Sequence, residues 1–182
     1  MLINDGTGQG YSARVDGENR IRTLSHNVPF ASHVSADEGK YYSWNFVSAD
    51  LATAETVIMV CNNSASEKLL IDWVYLWSDA PVQFQVHFPA YATWAGTAIT
   101  GVNWNKASGN SADATAIGDE TGQATQGSIL CTFMTNELTG DQHGIQWDVS
   151  GKIILGYHDA IAIDVVGAPA ANECTIAGYF HA

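Results

Sequence analysis

The chain has 182 residues and a mass of 19.5 kDa, enough for one sizeable domain and short for two. A chain of this length buries about 70 % of its unfolded surface, so neither a disulfide framework nor a metal staple is required. Nineteen acidic against seven basic residues give a formal net charge of −12, which excludes free DNA or RNA as a partner, because phosphate binding needs a basic footprint.

A hydrophobic content of 46 % and a mean hydropathy of −0.03 exclude wholesale disorder. The opening MLINDGTGQG has neither the basic nor the apolar region of a secretory signal. The longest apolar stretches, such as Thr56 to Cys61 and Ile161 to Val166, are far shorter than the roughly 18 residues of a membrane helix. The expectation is a soluble protein made in a cytoplasm, with no membrane partner. Cys61, Cys131 and Cys174 are odd in number, widely spaced and each set in an apolar run, which predicts buried free thiols in a reducing compartment.

Residues 1–27 stand apart. Gly6, Gly8, Gly10 and Gly17 interrupt them, and Arg14, Arg20 and Arg22 are balanced by Asp5, Asp16 and Glu18, so the remaining residues carry the whole negative charge. Tyr11 to Val15 and Arg20 to Leu24 alternate apolar and polar on either side of Asp16-Gly17, which predicts a short extended ribbon with a turn. Such a ribbon buries too little to be stable alone. It reads as an extended N-terminal docking arm that needs a surface, with Tyr11, Arg14, Val15, Arg20 and Arg22 as the partner-docking residues.

Residues 28–182 read as the body. Strands are predicted over Tyr41 to Val47, Thr56 to Cys61, Leu69 to Trp77, Val82 to Phe88 and Ile99 to Trp104. Asn62-Asn63-Ser64 marks a turn after the second of them. In the fourth, Gln83, Gln85 and His87 form the polar face, and Pro81 and Pro89 bracket it. Residues 105–126, rich in Gly, Ser, Ala, Thr and Asp, read as a long loop. Strand character resumes over Gly127 to Thr135, Ile145 to Val149, Lys152 to Leu155, Ala160 to Val166 and Cys174 to Phe180. One helical turn over Ala49 to Glu55 is the most helix expected. Eight to ten short strands at this spacing predict an all-β fold, an antiparallel β-sandwich of jelly-roll type.

The chemistry motifs are sparse. Gly6-Thr-Gly8-Gln-Gly10 lacks the glycine spacing and the flanking strand and helix of a phosphate loop. There is no G-x-S-x-G, no H-E-x-x-H and no C-x-x-C. His158-Asp159 and Asp141-Gln-His143 read as solvated turns rather than catalytic dyads or metal ligands. Asp37-Glu38 and Asp119-Glu120, the adjacent carboxylates a glycosidase would need, read as solvated acidic loops. Asn110, Asp113, Asp119 and Glu120 offer oxygens for Ca²⁺ but do not follow the EF-hand spacing. The reading is therefore no enzyme, no cofactor and no metal. Trp94 and Trp104 flank a Thr/Gly-rich segment and could form a sugar-stacking platform, although core packing is the plainer role for most of the tryptophans.

Several phrases resemble a family of small virion structural proteins of tailed bacteriophages. These are the opening arm Asp5-Gly-Thr-Gly-Gln-Gly-Tyr-Ser-Ala-Arg-Val-Asp-Gly-Glu-Asn-Arg-Ile-Arg-Thr, the strand Val57-Ile-Met-Val-Cys-Asn-Asn63 and its successor Leu69-Leu-Ile-Asp-Trp-Val74. Gly101-Val-Asn-Trp-Asn-Lys-Ala-Ser-Gly109 and Ile153-Ile-Leu-Gly-Tyr-His-Asp-Ala-Ile-Ala-Ile163 complete the pattern. The resemblance implies a capsid decoration or cement protein, located in the virion and assembled in the host bacterial cytoplasm. It further implies binding to the major capsid protein or other virion proteins as a homo-oligomer, with a trimer favoured. A receptor- or glycan-binding β-sandwich of a tail or fibre, or a neck or tail structural protein, is the alternative.

Overall fold

The computed structural model describes residues 2–4, 12–14, 30–48, 55–120, 127–135, 144–167 and 169–182. Near the start, β1 (Leu2–Asn4) pairs antiparallel with β2 (Ser12–Arg14) in a two-stranded sheet of their own. A short helix α1 (Phe30–His33) widens into one π-helical turn, Val34–Glu38, closed by Gly39 in the left-handed region at φ +61°. The strands that follow are β3 (Tyr41–Ser48), β4 (Glu55–Asn62), β5 (Lys68–Ser78), β6 (Gln83–Phe88), β7 (Thr97–Ile99) and β8 (Val102–Asn103). They continue with β9 (Ala114–Glu120), β10 (Ser128–Met134), β11 (Ile145–Leu155), β12 (Ala160–Val166) and β13 (Asn172–His181).

These strands form two antiparallel sheets packed face to face. One runs β11-β5-β13-β3-β8 and the other β10-β6-β12-β4-β9-β7. The all-β sandwich expected from the strand spacing is the fold. Period-2 alternation fills the interior: Trp44, Leu69, Ile71, Val74, Leu76 and Ile176 from the first sheet meet Ile58, Val60, Phe84, Val86, Ile161 and Ile163 from the second, all fully buried. Both sheets also carry a second, smaller layer on the outside. Val34 seals Tyr41, Ala177 and Tyr179, and half-buried Trp94 packs on Met59, Cys61, Ala160 and Ala162. That outer cover explains why β12 is buried on both faces. Among the described residues no helix is long and apolar enough to cross a membrane.

The Asn62 turn is present, held by the side chain itself: its Oδ1 accepts from Ser64 N at 2.8 Å, and its Nδ2 donates to the carbonyls of Glu67 and Leu155, each at 2.9 Å. Several expectations need correction. Residues 105–126 are not one loop, because β9 occupies 114–120 and pairs with both β4 and β7. Its small residues are a packing requirement: a Cβ on Gly118 would lie 2.5 Å from the Phe46 ring. The candidate strand Ile99 to Trp104 is two short strands in opposite sheets, with the chain crossing at Gly101, where a Cβ would meet Trp44 Nε1 at 2.7 Å.

Ile145 to Val149 and Lys152 to Leu155 are a single strand with a register break, Ser150 and Gly151 taking φ +51° and +71°. The helical turn at Phe30–Glu38 was not anticipated, whereas 49–54, where a turn was expected, lie outside the described residues. In the N-terminal segment, β2 pairs with β1, while Asp16-Gly17 and Arg20 to Leu24, expected as the turn and second strand of a ribbon, lie outside the described residues.

Candidate functional site

The outer face of the five-stranded sheet is built around β5. At Gly178 the neighbouring strand approaches so closely that a Cβ would sit 2.4 Å from the Leu70 carbonyl oxygen, and the register slips by one residue. Ile71 and Trp73 thus oppose Gly178 and Ala177, leaving Asp72 as the extra residue. Beyond the slip, Trp73, Tyr75 and Trp77 are partly exposed and alternate with the buried Val74 and Leu76. Their cross-strand neighbours are small or polar. Trp73 lies between Ala177 and Asp148, Tyr75 between Thr175 and Gln146, and Trp77 beside Glu173. One strand further on, Asn45 Nδ2 donates to Glu173 Oε1 at 2.9 Å and to Thr175 Oγ1 at 2.8 Å.

Trp104, just after β8, completes this face. Its backbone N–H donates to the Tyr41 carbonyl at 3.0 Å and its indole Nε1 to Ser43 Oγ at 3.0 Å. The ring meets Tyr41 (centroids 5.2 Å, 59°) and Trp73 (6.1 Å, 67°) at steep angles. Even so it is 56 % exposed. Trp73 and Trp104 line two clefts of about 380 Å³ each, one running under Ser32 and Ser35, the other towards Gln146 and Thr175. Tyr41 OH donates to Asp72 Oδ2 at 2.7 Å; burial, and then this bond, push its phenol well above the usual range, so it stays neutral. The face offers aromatic surfaces bordered by uncharged donors and acceptors, with carboxylates at its rim.

The outer side of the other sheet holds a buried polar group. His87, on the polar face of its strand, is 2 % exposed; on the same side Trp94 packs over Ala162, the cross-strand neighbour of His87, and Ala95 reaches Glu120. Thr56 Oγ1 donates to Asp164 Oδ1 at 2.6 Å, and His87 Nε2 lies 3.1 Å from Asp164 Oδ2. The Asp164 carboxyl is raised above the ordinary range: burial and Glu120 push it up, while the Thr56 bond and His87 pull it down. Glu120 is likewise not a solvated loop residue. It is 3 % exposed, opposite Thr56, and its Oε1 accepts from Ala95 N at 3.2 Å; the preceding Asp119, at φ +49°, turns the strand to bring it there.

Of the residues assigned to partner docking, Tyr11, Val15, Arg20 and Arg22 lie outside the described residues, and Arg14 ends β2 opposite Leu2. Asn110 Nδ2 donates to the Glu38 carbonyl at 3.0 Å, and Asp37 pairs with His33 at 2.5 Å. Among the described residues no group of three or more His, Cys, Asp or Glu side chains is arranged to hold a metal ion. His158-Asp159 does form a turn, the His158 ring stacking on Tyr91 at 3.8 Å and Tyr157 at 3.7 Å, while Asp141 and His143 lie outside the described residues. The three cysteines are free. Cys61 and Cys174 are buried, with burial lifting the Cys61 thiol to about 11, but Cys131 on the edge strand β10 is only half-buried. Trp73, Tyr75 and Trp77 were missed as site residues, although their every-second-residue spacing in LLIDWVYLW was the available signal. No known protein family, curated protein or solved structure matches the chain.

Proposed function

We propose that the chain is a non-enzymatic structural protein of a tailed-phage particle, a head decoration or cement protein that binds and stabilises the major capsid lattice. The observation that carries this reading is the strand order. With β7, β8 and β9 set aside, the remaining strands β3, β4, β5, β6, β10, β11, β12 and β13 count 1 to 8 along the chain. The two sheets then run 6-3-8-1 and 5-4-7-2. That nesting supports reading the sandwich as jelly-roll type, an architecture used by viral capsid and lectin domains. Fold alone does not give function. The resemblance of the opening arm and strand phrases to virion structural proteins supplies the rest.

A clamp on a filled capsid works by contact area, and many identical copies let each contact be modest. The partners are then the major capsid protein and further copies of this chain, with a trimer as the expected assembly. The arginines of the arm face acidic patches on the shell, and the negative body discourages adhesion to released nucleic acid. Immunogold labelling of intact particles, with an antibody raised against the purified protein, tests the reading. Label spread over the head is expected. Label confined to the tail or fibres would transfer the assignment to a receptor-binding module, and unlabelled particles would end it.

A further inference from the structure

We propose that the outer face of the five-stranded sheet, around Trp104, Trp73 and Tyr75, is a binding site for a neutral oligosaccharide, wherever on a particle the protein sits. Trp104 is the anchor. An indole 56 % exposed contributes little to the core, yet this one is fixed by its Nε1 bond to Ser43 and by edge contacts with Tyr41 and Trp73. A ring already held in place loses little conformational entropy when a ligand stacks on it. The faces of aromatic rings are electron-rich and attract the polarised C–H edges of a sugar ring.

The surroundings select the ligand class. Ala177, Thr175 and Ser43 are small, so the neighbouring rings stand clear of the sheet. The Gln146 amide and the Thr175 hydroxyl border one cleft, and the Asp72 carboxylate borders the other. Hydroxyl groups both donate and accept, and this set serves both roles. Among the described residues no Lys or Arg lines either cleft, and the chain carries −12, so phosphorylated, sulfated or uronic acid glycans are disfavoured. Clefts of about 380 Å³ fall in the range of small-ligand sites. Trp73 and Trp77 are four residues apart on one strand, roughly 14 Å at about 3.4 Å per residue, which suits a short sugar chain rather than a monosaccharide.

Titration of the full chain with cellohexaose, mannohexaose and chitohexaose, followed by tryptophan fluorescence and calorimetry, tests the site. Saturable binding of at least one is expected, weakened at least tenfold by Trp104→Ala and several-fold by Gln146→Ala, with the far-UV circular dichroism unchanged. Trp104→Phe, which keeps a ring, should retain part of the affinity. Saturation by none of the three sugars would overturn the proposal. So would binding that survives Trp104→Ala in folded protein, or attachment to virion protein that is lost in Trp104→Ala while no sugar binds. That last result would make the face a protein interface.

Discussion

Asp164 shows what a single buried carboxyl does to this protein. Its environment contains Thr56, His87 and Glu120 and almost no solvent, and its pKa is raised, with burial the leading cause. The folded state therefore holds the proton to higher pH than the unfolded chain does. Below the ordinary carboxylate range both states are protonated and there is no penalty. As pH rises through the raised value, the folded state must ionise in a sealed site and stability falls, by about 1.4 kcal/mol for each pKa unit separating the states. Asp164→Asn removes that titration while keeping an acceptor for Thr56. The variant should gain Tm relative to the parent between pH 4 and pH 7; a difference that is flat or shrinks over that range would refute the account. Period-2 alternation in Gln83–Phe88 identified the face on which His87 lies. Whether that face met water depended on Trp94 and Ala95 folding over it, which alternation does not report.

At the scale of elements, the strands that were legible are those rich in apolar residues, whether strictly alternating, as in β6, or apolar on both faces, as in β5. β9 was not legible, because its small residues imitate a loop. The reason lies in the opposite sheet: the Phe46 ring occupies the volume a side chain at Gly118 would need. Gly118→Ala should cost about 1–3 kcal/mol, the usual penalty for overpacking. Combined with Phe46→Ala it should cost less than the sum of the two changes, since the second makes room for the first. Urea titrations of the four proteins measure this coupling, and strict additivity would show that the ring and the glycine do not compete. The same logic applies where Gly178 meets the Leu70 carbonyl, the contact that shifts β5 and turns its aromatic residues outward.

For the molecule as a whole, the core residues among those described begin at Val34 and end at Phe180. A variant lacking residues 1–27 should therefore melt cooperatively, within about 2–4 °C of the full chain, the shift expected from about 1 kcal/mol. It should also lose attachment to particles. Loss of the cooperative transition in calorimetry would mean that the segment belongs to the body. Retained attachment at full occupancy would mean that docking uses another surface, the aromatic face being the first to examine.

Composition, charge and two-residue periodicity determined the all-β class, most strand positions and the turn at Asn62, because those depend on which side chains leave water and on local backbone preference. The tertiary structure alone decided which faces are covered. It paired Asp164 with Thr56 and His87 from distant strands, divided 97–103 between the two sheets, and left Trp104 standing between two clefts. Each of these rests on contacts between residues far apart in the chain, and the pattern of any one segment says nothing of the partner that will lie against it.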